Sequence, residues 1–360
     1  MASQMMSARR DSRLDFAKGI LIVLVVIGHS FFPMETLGKA HLDSFLYKFI
    51  YSFHMPAFML LSGYFFYNSN RKPLKNVLGT KIKSIGVPFL FFNIVIWGLM
   101  HLKNWVCSET AAQMNVLRLF SDLYGFVLTS KVMWFLASLL INCFIVGILS
   151  RFSYGYIGYI VVFVVSFFIP VDHSYIHPGY LFMFPYFLAG YYIRKKDFSL
   201  FALVGKYRII LLLACISLLG LYFYNRDTYI YYTGMNILTE NPLYSMCVNV
   251  HRFVLGATMT ALFFTAVGYV TVVDVNKPGV ASMIVKLGQY TLGIYGFQQI
   301  MIGVLIRSSE MFGVAVPASY WVVLVIAVLV LGLCYSLARI CARFNILSVM
   351  FLGSSSGTRS

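Results

Sequence analysis

Apolar windows long enough to cross a bilayer recur ten times along this chain, at residues 14–33, 45–67, 85–102, 132–150, 156–171, 178–193, 207–224, 252–272, 290–306 and 317–338. A crossing takes about 20 apolar residues of helix. Each window must be helical, because a lone strand in lipid would leave its backbone groups unpaired. Composition agrees: 60% of the 360 residues are hydrophobic, 11% are charged, and the mean hydropathy is +0.80. So little charge cannot cover a soluble surface. A cytosolic enzyme, a disordered hub and a disulfide-stapled secreted domain are excluded. The sequence predicts an all-α, polytopic integral membrane protein with about ten transmembrane helices.

The net charge of +16 does not point to nucleic acid, because the basic residues sit in short runs between apolar windows rather than on one soluble face. With the N-terminus inside, 19 of the 28 Lys and Arg fall on the inner side and 7 on the outer side; Lys18 and Lys48 lie within windows. That bias predicts both termini in the cytoplasm, in a multi-pass protein of the inner, cytoplasmic membrane. The expected organisation is a basic N-terminus at 1–13, a transmembrane domain at 14–338 and a cytoplasmic tail at 339–360, with Gly353 to Gly357 as a flexible end. Met1 to Arg13 is polar and basic and the first window lacks a small-residue cleavage site, so no cleaved leader is expected. The six cysteines show no ligand spacing. Cys107 and Cys247 are both assigned to outward loops, which leaves a bridge between them open. Residues 226–244 read as an ordered lid or glycan-facing loop, or as a packed interfacial segment.

Ionisable groups inside a membrane window are costly and need a reason. The first window holds Asp15, Lys18 and His29. Lys18 and His29 are eleven residues apart, three helical turns and about 16 Å, so they share one face. Asp15 lies three residues before Lys18, close to the same stripe. Snorkelling explains Asp15 and Lys18 near a helix end; it does not explain His29. The second window adds His54, in Phe53-His54-Met55-Pro56, followed by Ser62-Gly63-Tyr64. Two histidines on adjacent helices suit a base and its partner, since imidazole titrates near neutrality. By rise alone His54 sits deeper than His29, so contact between them is expected only if the second helix kinks at Pro56.

These residues resemble the acyltransferase-3 membrane family. Asp15-Phe16-Ala17-Lys18-Gly19, the step to Gly28-His29, Phe53-His54-Met55-Pro56-Ala57-Phe58 and Leu61-Ser62-Gly63-Tyr64 carry the likeness. It continues through Lys81-Ile82-Lys83 before Pro88, Met133-Trp134-Phe135-Leu136, Phe187-Leu188-Ala189-Gly190-Tyr191-Tyr192 and Leu287-Gly288-Gln289-Tyr290-Thr291-Leu292-Gly293-Ile294-Tyr295. The set runs in the family's order over nearly the whole chain. The absence of an appended soluble domain looks most like the fucose 4-O-acetylase-like and polysaccharide O-acetyltransferase branch.

The resemblance implies an O-acyltransferase, in the first instance an O-acetyltransferase, that moves an acyl group from cytoplasmic acyl-CoA to a sugar hydroxyl of a surface or exported glycan. Acetyl-CoA would be a donor substrate, and no tightly bound cofactor is expected. The family's basic-x10-His motif maps onto Lys18 and His29, with Lys standing where many members carry Arg. Many members also have His after the Ile-Tyr of the ninth window; here Gln298 and Gln299 follow, and no catalytic role is assigned there. On this reading His29, Lys18, Asp15 and His54 are the catalytic candidates, with His29 as base or acyl carrier. Arg71, Lys72, Lys81 and Lys83 are candidate contacts for the CoA phosphates, although positive-inside topology explains them equally well. Ser62, Trp134 and Arg252 are candidates toward the glycan or lipid-linked saccharide, with Asn249 and His251 beside Arg252. Trp134 is otherwise an interfacial anchor. Asp172, His173 and His177 share a loop but lack a close further ligand, so no metal is expected. The rival reading is a transporter or flippase for a glycan or lipid-linked sugar, with the polar stripe as its path.

Overall fold

The structure, a computed structural model, describes residues 11–35, 43–107, 116–129, 132–169, 179–270, 277–313, 316–317 and 319–354. Among them every regular element is helical. In chain order the helices of eight residues or more are α1 (Ser12–His29), α2 (Phe45–Asn70), α3 (Leu74–Lys81), α4 (Val87–Cys107), α5 (Val116–Thr129), α6 (Trp134–Leu149) and α7 (Gly155–Val165). There follow α8 (Phe184–Lys195), α9 (Tyr207–Phe223), α10 (Pro242–Gly268), α11 (Val280–Gln289), α12 (Thr291–Phe312), α13 (Tyr320–Cys341) and α14 (Asn345–Leu352). Each apolar window holds a helix. Among the described residues, four segments are long and apolar enough to cross a membrane: Phe45–Asn70, Leu74–His101, Pro242–Gly268 and Tyr320–Cys341.

Local chemistry sets the helix ends. Asp11 caps α1 by accepting from the Arg13 amide at 2.9 Å, and Ser44 caps α2 through Tyr47 at 3.3 Å. Asn241 caps α10 with Pro242 at its first position, so this helix begins ten residues before the window expected at 252–272. The reason is that a hydropathy window opens where the side chains become apolar, whereas the helix opens at its cap. Pro88 has no amide to offer the Ser84 carbonyl. The chain absorbs this in a π-turn, Ile82–Gly86, that joins α3 to α4.

The bundle is drawn tight by paired glycines. A Cβ on Gly19 would overlap the Ile284 carbonyl, and one on Gly288 would overlap that of Asp15, so α1 and α11 touch backbone to backbone. Gly63 and Gly190 do the same for α2 and α8, against Phe187 and Leu60. At the far end of α2, Arg151 donates to the Asn70 carbonyl at 2.6 Å and to the Lys72 carbonyl at 2.8 Å. That places a cation on the free carbonyls of a helix C-terminus.

Beyond residue 338 the chain does not trail away. Helix α13 runs to Cys341, and α14 folds back against α4 with Ser348 and Leu352 buried. Gly353 closes α14 in the left-handed region (φ 69°) and packs on the Ser84 carbonyl that Pro88 leaves without its usual partner. The start of the expected flexible end is therefore a packed cap, because only glycine takes that backbone at that closeness.

Candidate active site

Helix α1 presents Lys18, Ile22 and Val25 along one stripe, and His29 is the next residue on it. The first three line a partly open cavity of about 160 Å³. Its other walls come from Met55, Phe58, Leu61, Ser62 and Phe65 of α2, Phe135, Leu136 and Leu139 of α6, and Thr291, Leu292 and Tyr295 of α12. Nearly all of this lining is apolar. One end carries the charge: the Lys18 ammonium lies 2.6 Å from the Asp15 carboxylate and 5.2 Å from the centre of the Phe65 ring. Asp15 itself is buried beneath α11. An ammonium here is held by an ion pair and an aromatic face at once.

At the opposite end the walls stop one turn short of the histidines. His29 lies four residues, about 6 Å of rise, beyond Val25. Its Nδ1 is 2.9 Å from Oε1 of Gln298, which sits one turn beyond Tyr295 on α12. Its ring also lies 5.1 Å from that of Phe32. His54 neighbours Met55 in α2, and its Nδ1 donates to the Ile50 carbonyl at 2.6 Å.

That back-bond tips the imidazole toward Ile50, on the N-terminal side of its own Cα. Gly28 packs at the same level, with room for a Cβ only at 3.0 Å from Tyr51 and 3.4 Å from Ile50. Helix α2 continues through Pro56 without a break. The side chain hydrogen-bonded to His29 is Gln298, not His54.

Ser62 lies in the cavity wall near Lys18, its hydroxyl donating to the Phe58 carbonyl at 2.8 Å. Trp134 is buried at the start of α6, next to the cavity residue Phe135. Arg252 lies elsewhere, in a small cavity with Tyr51, Ser52 and Pro56. Its guanidinium is occupied by the segment above α10. Nε donates to the Thr228 carbonyl, Nη2 to the Thr233 hydroxyl, and Nη1 to the Gly234 carbonyl at 2.6 Å and Asn249 Oδ1 at 2.9 Å. His251 bonds the Gly220 carbonyl at 2.9 Å. The stretch from 225 is thus an ordered, packed segment, with Tyr229 packed between Tyr224 and Tyr47.

Of the four basic candidates, Arg71, Lys72 and Lys83 are exposed, and Lys81 is half-buried with its ammonium 5.4 Å from the Phe66 ring centre. Arg71 lies six residues past Phe65, about 9 Å along α2 from the charged end of the cavity. Asp172, His173 and His177 lie outside the described residues, as does the side chain of Cys107; Cys247 is a free thiol. No group of three potential metal ligands occurs among the described residues.

Gln298 is the residue that sequence reasoning passed over. It is fully buried. The available signal was the ordinary one, an uncharged polar side chain inside an apolar helix, three residues after Tyr295.

A family model described as an acyltransferase domain matches residues 11–339. Two relatives share the name nodulation protein NolL. That of Mesorhizobium japonicum is 27% identical over 230 residues, which cover 62% of this chain and 58% of its own length. That of Sinorhizobium fredii is 27% identical over 231 residues, which cover 62% and 60%. The chain spans about three fifths of the length of these curated relatives. No solved structure matches it.

Proposed function

The chain belongs to the acyltransferase-3 family, and from that premise we propose that it is an integral membrane O-acyltransferase, taking acyl groups, acetyl first among them, from cytoplasmic acyl-CoA to a sugar hydroxyl of an exported or surface glycan. The proposal includes the full ten-helix crossing of the cytoplasmic membrane, with both termini inside, that hydropathy and the distribution of Lys and Arg favour. Family membership also favours this reading over a glycan transporter.

One observation carries it. The apolar cavity follows the face of α1 that bears Lys18, Ile22 and Val25, and ends one turn from His29. A long, thin, mostly apolar arm with an anionic head suits that shape. The head would stay at the basic surface of Arg71, Lys72, Lys81 and Lys83, the arm would pass Lys18, and the thioester would come to rest near His29. His29 would then act as general base on the acceptor hydroxyl. His54, held by the Ile50 carbonyl on the neighbouring helix, would shape the electrostatics around that base.

The test is acyl transfer by the purified protein in lipid nanodiscs, using labelled acetyl-CoA and a candidate glycan. Transfer by the wild-type protein that is lost in His29→Ala is the expected result. Wild-type rates in His29→Ala would remove the imidazole from the chemistry.

A further inference from the structure

The two ends of the Gln298 amide are chemically distinct, Oε1 accepting only and Nε2 donating only. Nε2 lies 3.2 Å from the Tyr295 carbonyl oxygen. Turning the amide over would set two acceptors against each other at a fully buried position. The orientation is therefore determined, and Oε1 faces His29 Nδ1 at 2.9 Å. A hydrogen bond to an acceptor requires a hydrogen on Nδ1. In a neutral imidazole the lone pair then belongs to Nε2, for which the structure records no hydrogen-bond partner among the described residues.

We propose that Gln298 is a positioning residue that holds His29 in the Nδ1–H tautomer, which makes Nε2 the atom that receives the acceptor's proton. The inference rests on the reading of His29 as the base. In the step it serves, the O–H proton of the sugar passes to Nε2 and the sugar oxygen bonds to the thioester carbonyl carbon. The C–S bond breaks, and the departing thiolate takes the proton back from Nε2 to leave as CoA. A neutral amide suits this cycle, because it fixes the tautomer without adding a charge that would hold the imidazolium once formed.

Gln298→Met keeps length and bulk but loses the acceptor, whereas Gln298→Glu keeps an acceptor oxygen. The expected result for Gln298→Met is a kcat about 10–100-fold lower, with KM for acetyl-CoA within about twofold. Gln298→Glu should keep the tautomer preference but not restore kcat, because its charge holds the imidazolium once formed. Nitrogen-15 spectra of histidine-labelled protein in nanodiscs, with His29 assigned by its absence in His29→Ala, read the tautomer without turnover. The wild type should show Nδ1 protonated at His29, and Gln298→Met should lose that preference. An unperturbed kcat in Gln298→Met, or a wild-type spectrum with the hydrogen on Nε2, overturns the proposal. The activity of His29→Ala reports separately on whether His29 is the base at all.

Discussion

Lys18 and Asp15 face each other across one turn of α1, with ammonium and carboxylate 2.6 Å apart and very unequally exposed, at 21% and 4% of their side-chain surfaces. The carboxylate is buried where the backbone of α1 meets α11, while the ammonium lies on the wall of the cavity. The pair sets a single positive centre at the charged end of an apolar passage and keeps it there, since a buried carboxylate does not readily part from its cation.

Lys18→Ala removes that centre and leaves Asp15 covered beside an apolar wall. CoA release with saturating acceptor should fall at least about tenfold, whereas Lys18→Arg, which keeps the charge but not the compact ammonium, should stay within about threefold. Equal losses in both variants would rule out an electrostatic role for this residue.

Leu139 lines the cavity from α6 and touches neither histidine in any recorded contact. Leu139→Trp should fill the passage. KM for acyl-CoA should rise about tenfold or more, with the thermal midpoint moved by only a few degrees, because the added bulk enters existing space rather than packed core. Initial rates against donor concentration decide this; an unaltered KM would mean that the donor takes another route.

A Cβ on Gly190 would collide with the Leu60 carbonyl, and neither backbone can yield without parting α2 from α8. Gly190→Ala should destabilise the protein by about 1–3 kcal/mol. Gly98, on α4, has no neighbour within 4 Å of such a Cβ, so Gly98→Ala should be neutral or stabilising by up to about 1 kcal/mol from helix propensity. Thermal unfolding of both variants in one detergent checks the contrast.

Arg252 fastens residues 228–234 to α10 through two carbonyls and a hydroxyl. Arg252→Met should free that stretch, raising amide hydrogen exchange across 226–234 at least about tenfold while α2 and α12 keep their protection. An unchanged exchange pattern would show that the tyrosine contacts hold the segment unaided.

Much of this architecture was legible before any coordinates. The ten windows each contain a helix because hydropathy over bilayer length reports the solvent a segment needs, whatever its neighbours are. The stripe of Lys18 and His29 was legible because both lie on one helix, whose period is known in advance. His54 was harder. Its residue number locates a Cα and not the direction in which the side chain leans, so its bond to the Ile50 carbonyl could not be read in advance. Arg252 read as a surface contact at the mouth of a helix that in fact begins ten residues earlier. Gln298 could be seen but not interpreted, because its partner is 269 positions away.

Sequence by itself determined where apolar helical segments lie and which residues are dear enough in an apolar setting to demand a use. Each of those follows from side-chain transfer energies and helical period, which act within a segment. Which imidazole meets which partner, where the cavity ends and which cation is spent on fastening a neighbouring segment were decided only when separate helices came together. Those outcomes depend on backbone approach at single glycines and on hydrogen-bond directions between distant segments, and no local pattern in the chain encodes either.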